Sequence, residues 1–463
     1  MEHMETKRKK RKLLGLLLTF FIIMGGVLLF LLFYQREEPS TALEGIISPK
    51  MLYVVAVSLV VLCVLLVLLF SVIVFSKNKS VKKQIKILHA PRELSPKEEE
   101  PEERKARFCM LSDIDRNRSS YGQKAYEKGV TLESLCEDFR NYAASKLKLY
   151  YDIEDIRRFV AGMAVSKLVI LQGMSGTGKT SLAHAFGSFI GNSATVIPVQ
   201  PMWKERTDLI GYYNEFTKRF NETLLLEKMY EANYSKDIYV TVLDEMNISR
   251  VEYYFAEFLS LLELPNAEER YIDVVSDKWD TDPQQMKNGR IKLPENMWFV
   301  GTANNDDSTF AISDKVYDRA MILNLDKKSE RFIAPVTGKR SVSAEQFADM
   351  VKAAEKEYAI SKRNKSRLVE LDRYLIENFH ITFGNRIMKQ IGQYIPVYVA
   401  CGGDELAALD DMLSKKVIRK LETQNPIYLR NAAEGLVSYI DELFGADRMP
   451  LCKEYIRRLE RNA

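Results

Sequence analysis

Cysteine and histidine are scarce: the 463 residues hold five of the first and four of the second. Cys63, Cys109, Cys136, Cys401 and Cys452 are odd in number, widely spaced and without a C-x-x-C pair. That argues against a disulfide framework and a zinc site, and fits thiols kept reduced in the cytosol. A net positive charge is also missing from the body of the chain. Residues 1–92 carry 14 basic and 5 acidic side chains, so the remainder of a chain with net charge +4 contributes −5. A broad basic face for duplex nucleic acid is thereby disfavoured, while a local basic groove is not. No internal repeat is present.

Charge is absent altogether from two stretches, Leu13 to Phe33 and Met51 to Phe75. Twenty-one helical residues reach about 31 Å, roughly the hydrocarbon thickness of a bilayer, and a run of 25 spans it with tilt. The 16 Leu, Ile, Phe and Val of the first run favour insertion by about 5–10 kcal/mol. Lys7 to Lys12 (KRKKRK) precedes the first run, and Lys77, Lys79, Lys82, Lys83 and Lys86 follow the second. Both ends are therefore expected in the cytosol, on a multi-pass membrane protein with two spans. The same basic flanks suit anionic lipid. A cleaved signal peptide is the other reading of the first run, but the run is longer than a usual apolar core and no A-x-A-like site follows.

The expected organisation is a membrane anchor over 1–80, with spans at about 13–33 and 51–75, then a charged linker over 81–125. An α/β nucleotide-binding domain over 126–330 and a helical domain over 331–463 complete it. Pro91 to Arg107 (PRELSPKEEEPEERKAR) is dense in charge and proline, a composition that disfavours a packed core. From Thr131 to Met163 the pattern is helical, with Leu132, Leu135, Phe139, Tyr142 and Ala143 on one face. After about Asp326, Ser343 to Lys362, Lys365 to Glu377, Arg386 to Tyr398 and Asp404 to Gln424 read as helices. Ser343 with Gln346 has the form of a capping box.

The chemistry is concentrated in Gly173-Met174-Ser175-Gly176-Thr177-Gly178-Lys179-Thr180, which matches the phosphate-cradling P-loop. It lies between an apolar strand, Lys167 to Gln172, and a helix opened by Ser181 whose N-terminal amides would face phosphate. Lys179 would reach the β and γ phosphates and Thr180 would hold Mg²⁺. A second buried strand, Ile238 to Leu243, ends in Asp244-Glu245. Asp244 suits the magnesium shell, and Glu245 suits activation of the attacking water. A third strand, Met297 to Gly301, leads to Thr302-Ala303-Asn304-Asn305-Asp306-Asp307, polar groups at a strand's carboxyl end, where open α/β sheets bind ligands. Asn304 reads as a water-positioning group or as a turn residue. Arg319 follows, in DKVYDRAMILNL, either as an ordinary surface cation or as a group stabilising charge on a neighbour's γ-phosphate.

Together these segments, with IYVTVLDEMNISRVEYYFAEFLSLLE, MWFVGTANNDDSTFAISDKVYDRA and TFGNR, resemble an AAA+ ATPase, and more narrowly its McrB-like, dynein-related branch. The resemblance covers about Thr131 to Tyr398 and leaves out the membrane hairpin. It implies an α/β P-loop AAA+ core with a parallel sheet flanked by helices, a C-terminal helical lid and a homo-oligomeric ring, a hexamer. It makes Asn304 the sensor-1 residue, Arg319 the arginine finger and Arg386 a sensor-2 residue at the nucleotide. Asn304 and Asp307 fit the branch's Asn-x-x-Asp loop, with Ala303 where that loop often has methionine. Mg²⁺ and ATP are the implied cofactor and nucleotide, with GTP open because McrB-like motors use it. Trp203 to Phe220 and Ile272 to Pro294 correspond to insertions that face a pore or a partner. There, Trp203, Tyr212, Tyr213 and Phe216 interleave with Lys204, Arg206, Lys218 and Arg219, either to grip a polymer or to pack on the ring body. Two functions are implied: a motor that remodels or translocates a protein or nucleic-acid partner, or a nucleotide-dependent switch of a defence system acting with a separate effector such as a nuclease. No nuclease motif is recognisable in this chain.

Overall fold

The computed structural model describes residues 106–122, 124–304 and 309–462. The expected spans at 13–33 and 51–75, Cys63 and most of the expected linker lie outside them, as does Asp307. Among the described residues no helix is long and apolar enough to cross a membrane.

A short helix α1 (Met110–Arg116) is followed by α2 (Leu132–Leu147) and α3 (Ile153–Val165), which lead into β1 (Leu168–Gly173) and α4 (Lys179–Phe189). The chain continues through β2 (Thr195–Pro198), α5 (Thr207–Ile210), a hairpin of β3 (Gly211–Asn214) and β4 (Arg219–Glu222), and α6 (Leu224–Ala232). Next come β5 (Tyr239–Asp244), α7 (Val251–Tyr254), α8 (Ala256–Glu263) and a second hairpin, β6 (Tyr271–Asp273) with β7 (Arg290–Lys292). β8 (Met297–Asn304), α9 (Asp314–Tyr317) and β9 (Met321–Asn324) complete the α/β part.

β2, β5, β8, β1 and β9 form one sheet in that order, every neighbouring pair parallel. Apolar side chains alternate between its faces, as the two-residue period of a strand requires. Val169, Leu171, Val240, Val242 and Val300 pack under α2, α3 and α4, while Leu168, Ile170, Leu243 and Phe299 pack against α6, α7 and α8. All polar ends that carry chemistry therefore emerge at one edge, the carboxyl end of the strands.

The C-terminal part is helical: α10 (Ala344–Glu357), α11 (Lys362–Phe379), α12 (Gly384–Ala400), α13 (Glu405–Lys416), α14 (Pro426–Phe444) and α15 (Pro450–Asn462). Ser343 and Gln346 form the expected capping box of α10. The helix read over Asp404 to Gln424 is two pieces, α13 and a 3₁₀ segment Ile418–Thr423. Buried Asp411 joins this part to α3, accepting from Tyr394 Oη at 2.7 Å and pairing with Lys415 at 2.5 Å and Arg158 at 3.2 Å.

The charged linker expected to run to residue 125 is folded onto the core from Arg107 onward. Phe108, Leu111 and Ile114 are buried with the α6–α8 side of the sheet, and the Glu222 carboxylate accepts from the backbone amides of Cys109, Met110 and Leu111. Composition marks the segment as polar, but three apolar residues on one face and a carboxylate at the first helical amides are enough to seat it.

Candidate nucleotide site

β1 delivers the chain to Gly173, where φ is 149° and the Leu325 carbonyl oxygen would lie 2.4 Å from any Cβ. Only glycine fits there. Gly176 and Gly178 turn with φ of 78° and 92°, and a Cβ at Gly176 would meet nothing within 4 Å, so the loop opens outward there. Met174 and Ser175 are exposed, Thr177 Oγ1 donates to the Met174 carbonyl at 3.0 Å, and Ser181 sits half-buried in the first turn of α4. Lys179 is buried, its Nζ donating to the carbonyls of Gly173 at 2.9 Å and Met174 at 2.7 Å. A cation thus spans a loop whose glycines bring backbone amides close, next to a helix N-terminus: a geometry for phosphate.

Asp244 ends β5 beside this loop. Its Oδ1 accepts from Thr180 Oγ1 at 2.7 Å and from Thr302 Oγ1 at 2.8 Å, and Thr302 Oγ1 accepts in turn from the Glu245 amide at 2.8 Å. Glu245 is exposed, in a left-handed turn with φ of 53° that carries it off the sheet. The turn closes because Gly301 leaves room for Met246, whose Sδ would lie 1.9 Å from a Cβ at that position. Asn304 pairs in register with Gly173, so the end of β8 lies against the loop. Its carbonyl accepts from Asn247 Nδ2 at 2.9 Å and Thr309 Oγ1 at 3.0 Å.

Thr180 and Asp244 together present a hydroxyl and a carboxylate oxygen to one point. That set fits Mg²⁺, which takes one or two protein oxygens and fills its shell with water and phosphate. Among the described residues no group of three His, Cys, Asp or Glu could hold a metal, and such a site does not need one.

Of three supporting residues, Tyr151 and Asn247 have no local sequence signal and Thr302 has a partial one. Tyr151, before α3, donates its hydroxyl to the Gly178 carbonyl at 3.0 Å, Thr302 links both carboxylate positions, and Asn247 ties the loop after β8 to the turn after β5. Their partners lie 27 to 63 residues away, beyond the reach of any periodicity. Thr302 is the exception in part, since a hydroxyl two residues before Asn304 on the same strand shares its outlook.

Arg319 and Arg386 are not brought to this group. The Arg319 carbonyl accepts from Ser166 Oγ at 2.8 Å, just before β1 begins, whereas the phosphate loop follows the strand's other end. Seven residues of extended chain separate the two ends by roughly 20 Å. Arg386, in the first turn of α12, pairs with Glu263 at 2.7 Å, and the same carboxylate pairs with Arg319 at 2.8 Å. The two arginines therefore share one place.

The inserted aromatics divide. Trp203 packs edge-on against buried Tyr254, and Tyr213 against Trp279, whereas Tyr212 is exposed and Phe216, at the tip between β3 and β4, is 99% exposed.

Residues 168–320 match the family model of the AAA domain (dynein-related subfamily). The α/β core is thus similar to an AAA domain. Residues 336–463, which follow it, match a domain of unknown function (DUF8727). No curated protein matches the chain. Among solved structures the chain is similar to a full-length MCM homolog from Methanopyrus kandleri, at 8% identity and a TM-score of 0.34 over 70% of this chain. It spans 64% of that protein's length.

Proposed function

We propose that this chain is a membrane-anchored AAA+ ATPase of the McrB-like branch. It works as a homo-oligomeric ring, and hydrolysis drives remodelling or translocation of a macromolecular partner. The observation that carries the catalytic part is the convergence of Thr180 and Thr302 on one oxygen of Asp244, beside Lys179 and next to Glu245. Lys179 and the loop amides bind the β and γ phosphates. Thr180 and Asp244 would hold Mg²⁺, which would supply neutralisation of phosphate charge. Glu245 takes the proton of a water whose oxygen attacks the γ phosphorus, and the bond from that phosphorus to the β–γ bridging oxygen breaks. Asn304 orients that water. Arg319, far from its own loop, stabilises the transferring group of the adjacent subunit, a contribution of about 10³ to 10⁵ in comparable systems. The exposed Phe216, flanked by Lys218 and Arg219, supports a grip on the partner at the hairpin tip.

The test uses full-length protein in detergent or vesicles. Glu245→Gln should keep nucleotide bound while turnover falls at least about 100-fold, and Lys179→Ala should weaken binding itself. Turnover by Glu245→Gln at the wild-type rate would remove the assigned base. Slow turnover of the wild type, unstimulated by any partner but with nucleotide-dependent capture of an effector, would favour the switch over the motor.

A further inference from the structure

Glu263 closes α8 and serves two guanidinium groups at once: its Oε2 lies 2.8 Å from Arg319 Nη2 and its Oε1 2.7 Å from Arg386 Nη2. The three residues come from three separate stretches, so the arrangement is not a helix-periodic ion pair. Two cations share one carboxylate at a partly exposed surface. Arg319 is engaged but not saturated. Its Nη1 donates to the Lys315 carbonyl at 2.7 Å, while its Nε is buried and meets no acceptor among the described residues. A buried donor without an acceptor is uncommon and calls for one.

The backbone beneath Arg319 has little freedom. Lys416 Nζ donates to the carbonyls of Tyr317 and Ala320, Gln390 Nε2 to that of Asp318 at 3.0 Å, and Ser166 Oγ to that of Arg319 itself. Four consecutive carbonyls are thus held by side chains from α13, α12 and the turn before β1. The movement left to Arg319 is rotation of its side chain, and the choice open to it is between anions.

We propose that Glu263 is an intramolecular latch: its carboxylate occupies Arg319 and Arg386 within a protomer, and the triphosphate bound to an adjacent subunit displaces it to engage them. The inference rests on the reading of Arg319 as a group acting on a neighbour's nucleotide. The exchange is favourable because a half-exposed carboxylate pair is weak and salt-screened, whereas a triphosphate offers several anionic oxygens to the same donors. Binding at the interface is thereby coupled to loss of the pair, and a lone protomer keeps its arginines covered.

Hydrolysis by the full-length protein, measured against protein concentration, tests this. In Glu263→Gln the concentration for half-maximal rate should fall by about threefold to tenfold, the scale of two half-exposed ion pairs, while the rate at saturating protein is retained. The shift should shrink at high salt, and Glu263→Asp, which keeps the charge, should behave more like wild type. Melting temperatures equal to wild type verify that the variants fold. An unchanged concentration dependence, or a saturating rate that collapses as in Arg319→Ala, would overturn the latch. If Arg319→Ala itself hydrolyses like wild type, the underlying reading of Arg319 fails instead, and the latch with it.

Discussion

Thr302 Oγ1 lies 2.8 Å from Asp244 Oδ1 and also receives the Glu245 amide, so a single buried hydroxyl ties the Asp244 carboxylate to the backbone from which Glu245 projects. Thr302→Val keeps the shape and removes both bonds. We expect turnover to fall by about 10- to 100-fold, as for other residues that orient metal or base ligands, with nucleotide affinity changed much less. Thr302→Ser should restore most of the rate. Steady-state hydrolysis beside calorimetric nucleotide binding separates the two effects, and equal losses in both would show that Thr302 only holds the fold.

Tyr151 supports the phosphate loop from behind, through its hydroxyl on the Gly178 carbonyl and a ring that a Cβ at Gly178 would approach to 3.3 Å at the hydroxyl oxygen. Burial pushes its phenol well above the usual value, so the proton stays on through the working pH range. Tyr151→Phe removes one bond worth about 1 kcal/mol and should lower stability by up to that amount, with nucleotide binding weakened by at most roughly fivefold. Tyr151→Ala empties a core position and should cost about 3–5 kcal/mol of stability.

The phosphate loop, β5 and β8 were legible because each is an apolar run ending in a polar motif, and Ser343 with Gln346 because a capping box is local. The four-residue β2 was not: it is only half-buried, lies at the sheet's edge, and its short apolar run is broken by Pro198. Arg107 reads as the end of a tether because a charged segment gives no sign that its charge is buried against carboxylates 170 and 175 residues on. The resemblance alone implies a place for Arg386 at the nucleotide. Its partnership with Glu263, across 123 positions, is visible only in three dimensions.

That Arg107 is 1% exposed, with its Nε and Nη2 on the two oxygens of Asp282 at 2.8 Å, its Nη1 on Asp277 at 2.7 Å, and the Trp279 ring 4.5 Å away. It pins the loop between β6 and β7 to the start of the folded chain. Arg107→Met strands the buried Asp282 carboxylate, which should cost about 3–5 kcal/mol and speed hydrogen exchange in 274–289 before the sheet is affected. Adding Asp282→Asn should recover part of the loss. The Arg107 hydrogen bond holds the Asp277 carboxyl below its ordinary value of 3.8. That contribution is complete above the ordinary value and is lost as pH falls through the lower folded one, so exchange in this loop should rise only in strong acid.

Lys416 reaches from α13 to the carbonyls of Tyr317 and Ala320, on either side of Arg319. Burial lowers its ammonium from 10.5 to about 7, with Asp318 opposing and Arg419 and Arg386 reinforcing the shift. The neutral amine still has two N–H groups, one for each carbonyl. The unfolded chain holds the proton up to about its ordinary value while the folded chain releases it near 7, so unfolding takes up a proton between the two. Stability from this group therefore rises with pH across that window. Lys416→Met abolishes the rise and leaves two carbonyls without their donor, costing about 2–4 kcal/mol. Urea unfolding at pH 7 and pH 9 should show wild type gaining more than the variant. The variant's hydrolysis should fall as well, because the backbone that aims Arg319 has lost two of its four ties. Equal gains with pH in both chains would mean that Lys416 is charged in the fold throughout.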